Sequence, residues 1–119
     1  MGENFRGTPE WREDIINTCL AKHGKDSFRL GSCRVEKLAK TFHVDITISE
    51  DVKYVFILDD TGELTKVLEK VHDKNNVTAN GDDVVFPVIK DEKRVAKLKP
   101  LLDDAIDKID QDNDSPSMA

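Results

Sequence analysis

Two adjacent aspartates, Asp59 and Asp60, are the first residues whose types and spacing could do chemistry. They follow an apolar run, as acid pairs that hold a divalent cation do. No glycine-rich phosphate-binding loop accompanies them, because Gly62 stands alone. Asp60 and Glu63 have the spacing of a capping box, so we expect Asp60 to cap a helix. The pair is therefore interpreted as structural, with a metal-dependent enzyme using Asp59 or Asp60 as an alternative.

The histidines and cysteines show no catalytic or metal-binding spacing. His23, His43 and His72 are far apart, and no two of them have the i, i+4 spacing of a helical ligand pair. Cys19 and Cys33 form no Cys-x-x-Cys motif, and two cysteines do not make a disulfide framework. We therefore expect free thiols, no cofactor, no metal centre and no enzymatic activity.

Two groups of basic residues could contact a nucleic acid or a protein partner. They are Arg29, Arg34, Lys37 and Lys40 in the first group and Lys90, Lys93, Arg94, Lys97 and Lys99 in the second. The run Lys53-Tyr54-Val55-Phe56 is similar to the aromatic alternation of an RNA-binding sheet, although it lacks that motif's glycines. In the alternative interpretation, the aromatic side chains belong to the core and the lysines form a solvated face.

Length and charge set the domain organisation. A chain of 119 residues can build one core, and 38% hydrophobic residues suffice for it. Residues 103–114 hold six acids and one base, whereas residues 1–102 hold 18 acids and 17 bases. We expect a flexible arm over residues 1–8, one domain over residues 9–109 and an acidic disordered tail over residues 110–119.

No membrane or secretory segment is expected. No apolar run approaches the roughly 18–20 residues that span a bilayer. The first residues lack the apolar stretch of a signal peptide. The sequence therefore predicts an intracellular protein.

The first elements that position these residues have clear local signals. Thr8 can cap a helix that has Pro9 at its first position, and Gly24 ends it. A short extended segment over residues 27–30 follows. A second helix is predicted over residues 32–42, because apolar residues recur there at helical spacing.

A strand, a second strand and a third helix are predicted next. Residues 43–49 alternate between apolar and polar, which indicates a half-buried strand. Residues 52–58 are apolar on both faces, which is typical of a central strand. Residues 61–73 have apolar residues at helical spacing, which predicts the third helix.

The last part of the chain predicts a hairpin and a long helix. Residues 75–79 and 83–89 flank an Asn-Gly pair, which is a strong hairpin signal. Pro87 places the second strand at an edge or a bulge. Residues 91–109 are predicted to be helical, with a kink or a break at Pro100.

Together these elements predict an α+β fold. It is a single domain with a four- to five-stranded, largely antiparallel sheet, helices packed on it, and two β-β-α units after a helical N-terminal region. A small domain without a catalytic motif favours a non-enzymatic protein-interaction module, of the regulatory or inhibitory kind. It would bind through a sheet edge near Pro87 or through its charged helices. The alternative is RNA or DNA binding through the basic groups, and a homodimer is compatible with either.

Overall fold

Two helices and seven strands make up the part of the chain that the structure describes. A computed structural model describes residues 5–73 and 83–114. The elements in chain order are α1 (Pro9–His23), β1 (Ser27–Leu30), β2 (Cys33–Lys37), β3 (Thr41–Thr47), β4 (Lys53–Asp59), β5 (Leu64–Glu69), β6 (Val71–His72), β7 (Val84–Val85) and α2 (Glu92–Asp114). Strands β1 to β5 form one antiparallel sheet in sequence order, and β6 pairs with β7. The predicted α+β fold is confirmed.

One face of the five-stranded sheet carries the core. A row of directly opposed residues crosses all five strands and is buried: Phe28, Val35, Val44, Phe56 and Val67. The next row along the strands points to the opposite face and is more polar: Arg29, Arg34, Asp45, Val55 and Leu68. Because successive side chains alternate between faces, the helices cover one face and leave the other without a helix. We call this second face the open face, although Val55 on it is buried.

Helix α1 forms as its local sequence predicts. The Thr8 hydroxyl oxygen accepts a hydrogen bond from the backbone N–H of Trp11 at 3.2 Å, and Pro9 occupies the first turn. Gly24 ends the helix in the left-handed conformation, with φ at 66°. The apolar side of α1 packs against α2 and joins the sheet residues in one hydrophobic cluster.

A buried arginine joins three parts of the fold. Arg12 lies on α1 and is 2% exposed. Its guanidinium donates hydrogen bonds to the Gly62 carbonyl at 2.9 Å, the Gly7 carbonyl at 2.9 Å and Asp103 Oδ1 at 3.2 Å. These contacts tie α1 to α2 and to the turn between β4 and β5.

The predicted second helix, residues 32–42, is wrong. Cys33–Lys37 is strand β2, and its pairing with β3 buries Cys33 and Val35 on the core face. Leu38, which the helical pattern places inward, is 43% exposed in the turn before β3. Apolar residues in a short segment fit both periods, and tertiary pairing selected the strand.

The predicted third helix, residues 61–73, is also wrong. Leu64–Glu69 is strand β5, which pairs with β4 on the side away from β3. The apolar strand β4 therefore has a hydrogen-bonding partner on each side. Without this helix, the two predicted β-β-α units are replaced by a five-stranded meander.

The turn between β4 and β5 corrects the prediction for the acid pair. Asp59, rather than Asp60, organises it, because Asp59 Oδ1 accepts hydrogen bonds from the backbone N–H groups of Thr61 and Glu63. The Thr61 hydroxyl donates to the same oxygen at 2.5 Å. Asp60 is exposed and caps no helix. The interpretation of the pair as structural therefore rests on a hairpin turn instead of a helix cap.

The predicted second hairpin lies partly outside the described residues. Residues 75–79 and the Asn-Gly turn are among those not described. Val84–Val85 pairs with Val71–His72 in β6. Pro87 does lie at a sheet edge, since its carbonyl accepts from the Glu69 N–H at 3.1 Å, and Val88 forms a bridge to Leu68.

Helix α2 runs without interruption through Pro100, so the predicted break does not occur. It continues to Asp114 and includes the first residues of the segment for which a tail is predicted. At the other end of the chain, Arg6 of the predicted arm pairs with Asp104 at 2.9 Å and with Asp107 at 2.6 Å. Within residues 5–73 and 83–114, no helix has the length and apolarity needed to cross a membrane.

Candidate functional site

The first predicted basic group is divided between two faces. Arg29 on β1 and Arg34 on β2 are directly opposed on the open face of the sheet. Lys37 lies at the end of β2 beside α1, where it borders a depression that includes Leu20. Lys40 is exposed in the turn before β3. The structure therefore brings together only half of this group.

Arg29 and Arg34 border a small cationic pocket. A third cation, Lys53 of β4, joins them around a volume of about 350 Å³. Lys53 Nζ lies 3.9 Å from an Asp45 carboxylate oxygen, and Arg34 lies 3.4 Å from Glu36. Arg29 forms no ion pair within the described ranges. The pocket can therefore hold one anionic group at Arg29.

The second predicted basic group follows one stretch of chain. It includes Lys90 before α2 and Lys93, Arg94, Lys97 and Lys99 in the first half of α2, all exposed. Arg94 donates two hydrogen bonds to the Glu69 carboxylate, and this contact raises the pKa of Arg94 above its usual value. Its guanidinium is therefore already engaged in holding α2 to β5.

The aromatic residues of β4 do not form a nucleic-acid stacking surface. Phe56 is fully buried and Tyr54 packs against the same core. On the open face, the corresponding positions of β4 are Val55 and Ile57. Two other aromatic rings lie at that face: His43 of β3 is half-buried on it, and the centroid of the exposed Phe86 ring is 5.9 Å from Lys53 Nζ. Neither belongs to β4, so the run that suggested an RNA-binding sheet supplies no ring on the open face for base stacking.

A larger groove lies between the strand ends and α2. Its volume is about 620 Å³. The residues that line it come from the β1–β2 turn, the end of β3 and the second half of α2: Leu30, Gly31, Ser32, Cys33, Ile46, Ile48, Leu101, Asp104, Ala105, Lys108, Gln111 and Asp112. Ile48 is 52% exposed at its margin. The groove thus combines apolar side chains with polar and charged ones, and it is open to solvent.

The charges around the groove are unequally balanced. Asp104 is paired with Arg6, and Asp112 with Lys22 at 3.6 Å. Lys108 forms no ion pair with any described residue. The groove therefore presents apolar surface beside one available cation.

The cysteine in the groove is not an activated nucleophile. Burial, and then the Asp45 carboxylate, raise the pKa of the Cys33 thiol to about 11, although Lys108 opposes this. At neutral pH this thiol is protonated and unreactive. Among the described residues, no base stands within hydrogen-bonding distance of it.

One cluster of metal-ligand types was missed by the sequence analysis. The side-chain ligand atoms of Cys19, His23 and Asp112 lie within 4.8 Å of one another. Cys19 and His23 have the i, i+4 spacing of a helical ligand pair, a signal that was sought only among the histidines. Asp112 could not be included, because residues after 109 were predicted to form a tail.

Comparison of the chain with protein-family models, with curated proteins and with solved structures found no match. The function is therefore argued from the fold and from these surfaces.

Proposed function

We propose that the chain is a non-enzymatic protein-interaction module that binds a segment of another protein in the groove between the strand ends and α2. The observation that carries this proposal is a 620 Å³ groove whose apolar margin includes the exposed Ile48. Grooves of this kind accept apolar anchor side chains of a partner.

The chemistry of the groove indicates what the partner segment contains. Leu30, Ile46 and Leu101 offer surface to an aliphatic or aromatic anchor. Two of the acids at the margin are neutralised within the chain, whereas Lys108 is available. The segment would therefore carry an apolar anchor and a carboxylate placed against Lys108.

An exposed hydrophobic residue elsewhere supplies the matched control. Val88 is 43% exposed beside β5 and does not line the groove. Partners would be captured from native extract by the wild-type chain, by Ile48→Glu and by Val88→Glu, and quantified by mass spectrometry. We expect a protein that the wild type and Val88→Glu retain equally and that Ile48→Glu loses. Equal loss in both variants, or no loss in Ile48→Glu, would refute binding in the groove.

The identified partner then allows a test of the charge. Lys108→Glu should weaken binding of the purified partner at least about tenfold, as expected for a close interfacial charge pair. Replacing the facing carboxylate of the partner by lysine should restore it. Unchanged affinity in Lys108→Glu would contradict the predicted carboxylate.

A second candidate function is nucleic-acid binding at the cationic pocket. The juxtaposition of Arg29, Arg34 and Lys53, with the exposed Phe86 ring 5.9 Å from Lys53 Nζ, favours it. Within the described residues, the ion pairs of Arg34 with Glu36 and of Lys53 with Asp45 leave only Arg29 of the three unpaired, so we favour the protein partner. Titration with single-stranded RNA at several salt concentrations tests it. Phosphate binding predicts an affinity that falls steeply with salt and weakens in Arg29→Gln, whereas the groove proposal predicts neither.

A further inference from the structure

The second inference concerns the cluster at the ends of the two helices, which shares Asp112 with the margin of the groove but rests on separate observations. Cys19 and His23 are one turn apart on α1, and Asp112 faces them from the last turn of α2. We propose that Cys19 Sγ, an imidazole nitrogen of His23 and a carboxylate oxygen of Asp112 bind one Zn²⁺ ion, with water as the fourth ligand.

The geometry is close to that of a zinc site. Bonds of about 2.0–2.3 Å in a tetrahedron place the ligand atoms about 3.3–3.8 Å apart. The three atoms here lie within 4.8 Å of one another, so side-chain rotations that shorten these distances by about 1–1.5 Å close the site. The i, i+4 spacing already directs two ligands to one side of α1.

The donor set selects the metal. Sulfur, imidazole nitrogen and a single carboxylate oxygen suit zinc and neighbouring transition metals, whereas calcium and magnesium require several oxygen ligands. The His23 ring is held by stacking on Phe28, with ring centroids 5.6 Å apart and an angle of 10° between the planes. One of the three ligands is therefore oriented before a metal arrives.

Two features of the site oppose metal binding. Cys19 is buried, and burial, followed by the Asp112 carboxylate, raises its pKa to about 11, while Lys22 lowers it. Binding must therefore release the thiol proton to solvent as the Zn–S bond forms. Lys22 Nζ lies 3.6 Å from Asp112 Oδ2 and donates to the Asp112 backbone carbonyl at 2.8 Å, so it competes with the metal for the carboxylate.

The test uses the full chain, reduced and freed of metal with a chelator. Co²⁺ is titrated first, because a thiolate ligand produces a near-ultraviolet charge-transfer band and tetrahedral geometry produces visible bands. Zn²⁺ affinity is then measured by competition with a chromophoric chelator. We expect one ion per chain, displacement of Co²⁺ by Zn²⁺, and a higher thermal midpoint with zinc.

The variants separate this site from general metal affinity. His23 is exposed, so His23→Gln should fold normally and weaken zinc binding more than about 100-fold, since even outer-sphere changes lower affinity 10- to 100-fold. Cys19→Ser should abolish the charge-transfer band. Lys22→Gln should strengthen binding about two- to fivefold, because an exposed ion pair is removed.

The matched controls are the other buried cysteine and an exposed histidine. Cys33→Ser and His72→Gln should bind zinc as the wild type does. The proposal is overturned if the wild type fails to bind Zn²⁺, if His23→Gln binds it equally well, or if the charge-transfer band is lost in Cys33→Ser instead of Cys19→Ser.

Discussion

Replacing Arg12 by methionine tests the buried ion pair that holds the two helices and the β4–β5 turn together. Methionine retains part of the apolar volume and removes the guanidinium. The Asp103 carboxylate, whose side chain is 10% exposed, then loses its cation, and the Gly62 carbonyl loses its hydrogen-bond donor. Removing one partner of a buried ion pair destabilises a protein by about 3–5 kcal/mol, and we expect a decrease of that size in the free energy of unfolding.

Urea denaturation followed by circular dichroism measures this loss. The slope of the unfolding free energy against urea should stay constant, so that the midpoint alone reports stability. Arg6→Met is the matched control. Like Arg12, Arg6 pairs with aspartates of α2, here Asp104 and Asp107, but its side chain is 52% exposed. The decrease in the free energy of unfolding of Arg6→Met should be a small fraction of the decrease in Arg12→Met.

A double variant isolates the charge from the packing. Arg12→Met combined with Asp103→Leu removes both buried charges and should be more stable than Arg12→Met alone. A decrease of less than about 1 kcal/mol in the free energy of unfolding of Arg12→Met would contradict this expectation, because breaking a desolvated ion pair costs more than that.

Three further predictions concern the turn at Asp59 and the proline in α2. Gly62→Ala should lower stability by about 1–3 kcal/mol or more, because φ is +90° and an added Cβ would lie 2.1 Å from a carbonyl oxygen of α1. Gly31 also has positive φ, but no atom lies near an added Cβ, so Gly31→Ala should lower the thermal unfolding midpoint less than Gly62→Ala does. An equal decrease in both variants would contradict the steric explanation. The Thr61 hydroxyl, and then backbone N–H groups of the turn, hold the pKa of Asp59 below its usual value. Asp59 therefore stabilises the fold at a pH above its pKa in the unfolded chain, and this stabilisation is lost as the pH falls through its pKa in the folded chain. Between about pH 5 and pH 3, wild-type stability should therefore fall more steeply than that of Asp59→Asn, and parallel pH profiles would argue against this role. Pro100→Ala should raise stability by up to about 3 kcal/mol in urea denaturation, because alanine restores a helical N–H donor, and a decrease would show that the proline is favoured where it stands.

Local signals correctly predicted the first helix and the inner strand. Helix α1 begins and ends as Thr8 and Gly24 indicate. The strand predicted over residues 52–58 is β4, which occupies an inner position in the sheet. In these segments the side chains and the backbone favour the same structure, so no distant residue was needed to decide it.

The errors fall on segments whose apolar spacing fits two structures. Cys33–Lys37 and Leu64–Glu69 each place a few apolar residues at intervals that suit a helix or a strand. Pairing with β3 and β4 satisfies their backbone groups and buries their core-facing residues, which decides for the strand. That decision depends on pairing with the adjacent strand, as between Lys37 and Phe42 or between Leu58 and Leu64, and the apolar spacing within one segment does not contain it.

The surfaces depended on tertiary structure more than the fold did. The basic residues were identified from the sequence, but whether Arg29 meets Arg34 and Lys53 depends on strand register. The groove exists only because α2 packs beside the end of β3. Asp112 faces Cys19 and His23 because α2 continues past residue 109.

The sequence by itself therefore determined the α+β class, the first helix and the inner strand, because capping, alternation and apolar runs act between near neighbours. Only the tertiary structure decided the five-stranded meander, the Arg12–Asp103 pair, the groove and the Cys19–His23–Asp112 cluster. The ion pair, the groove and the cluster join residues that are distant in the chain, whereas the meander pairs strands that follow one another; all of them follow from burying one shared core.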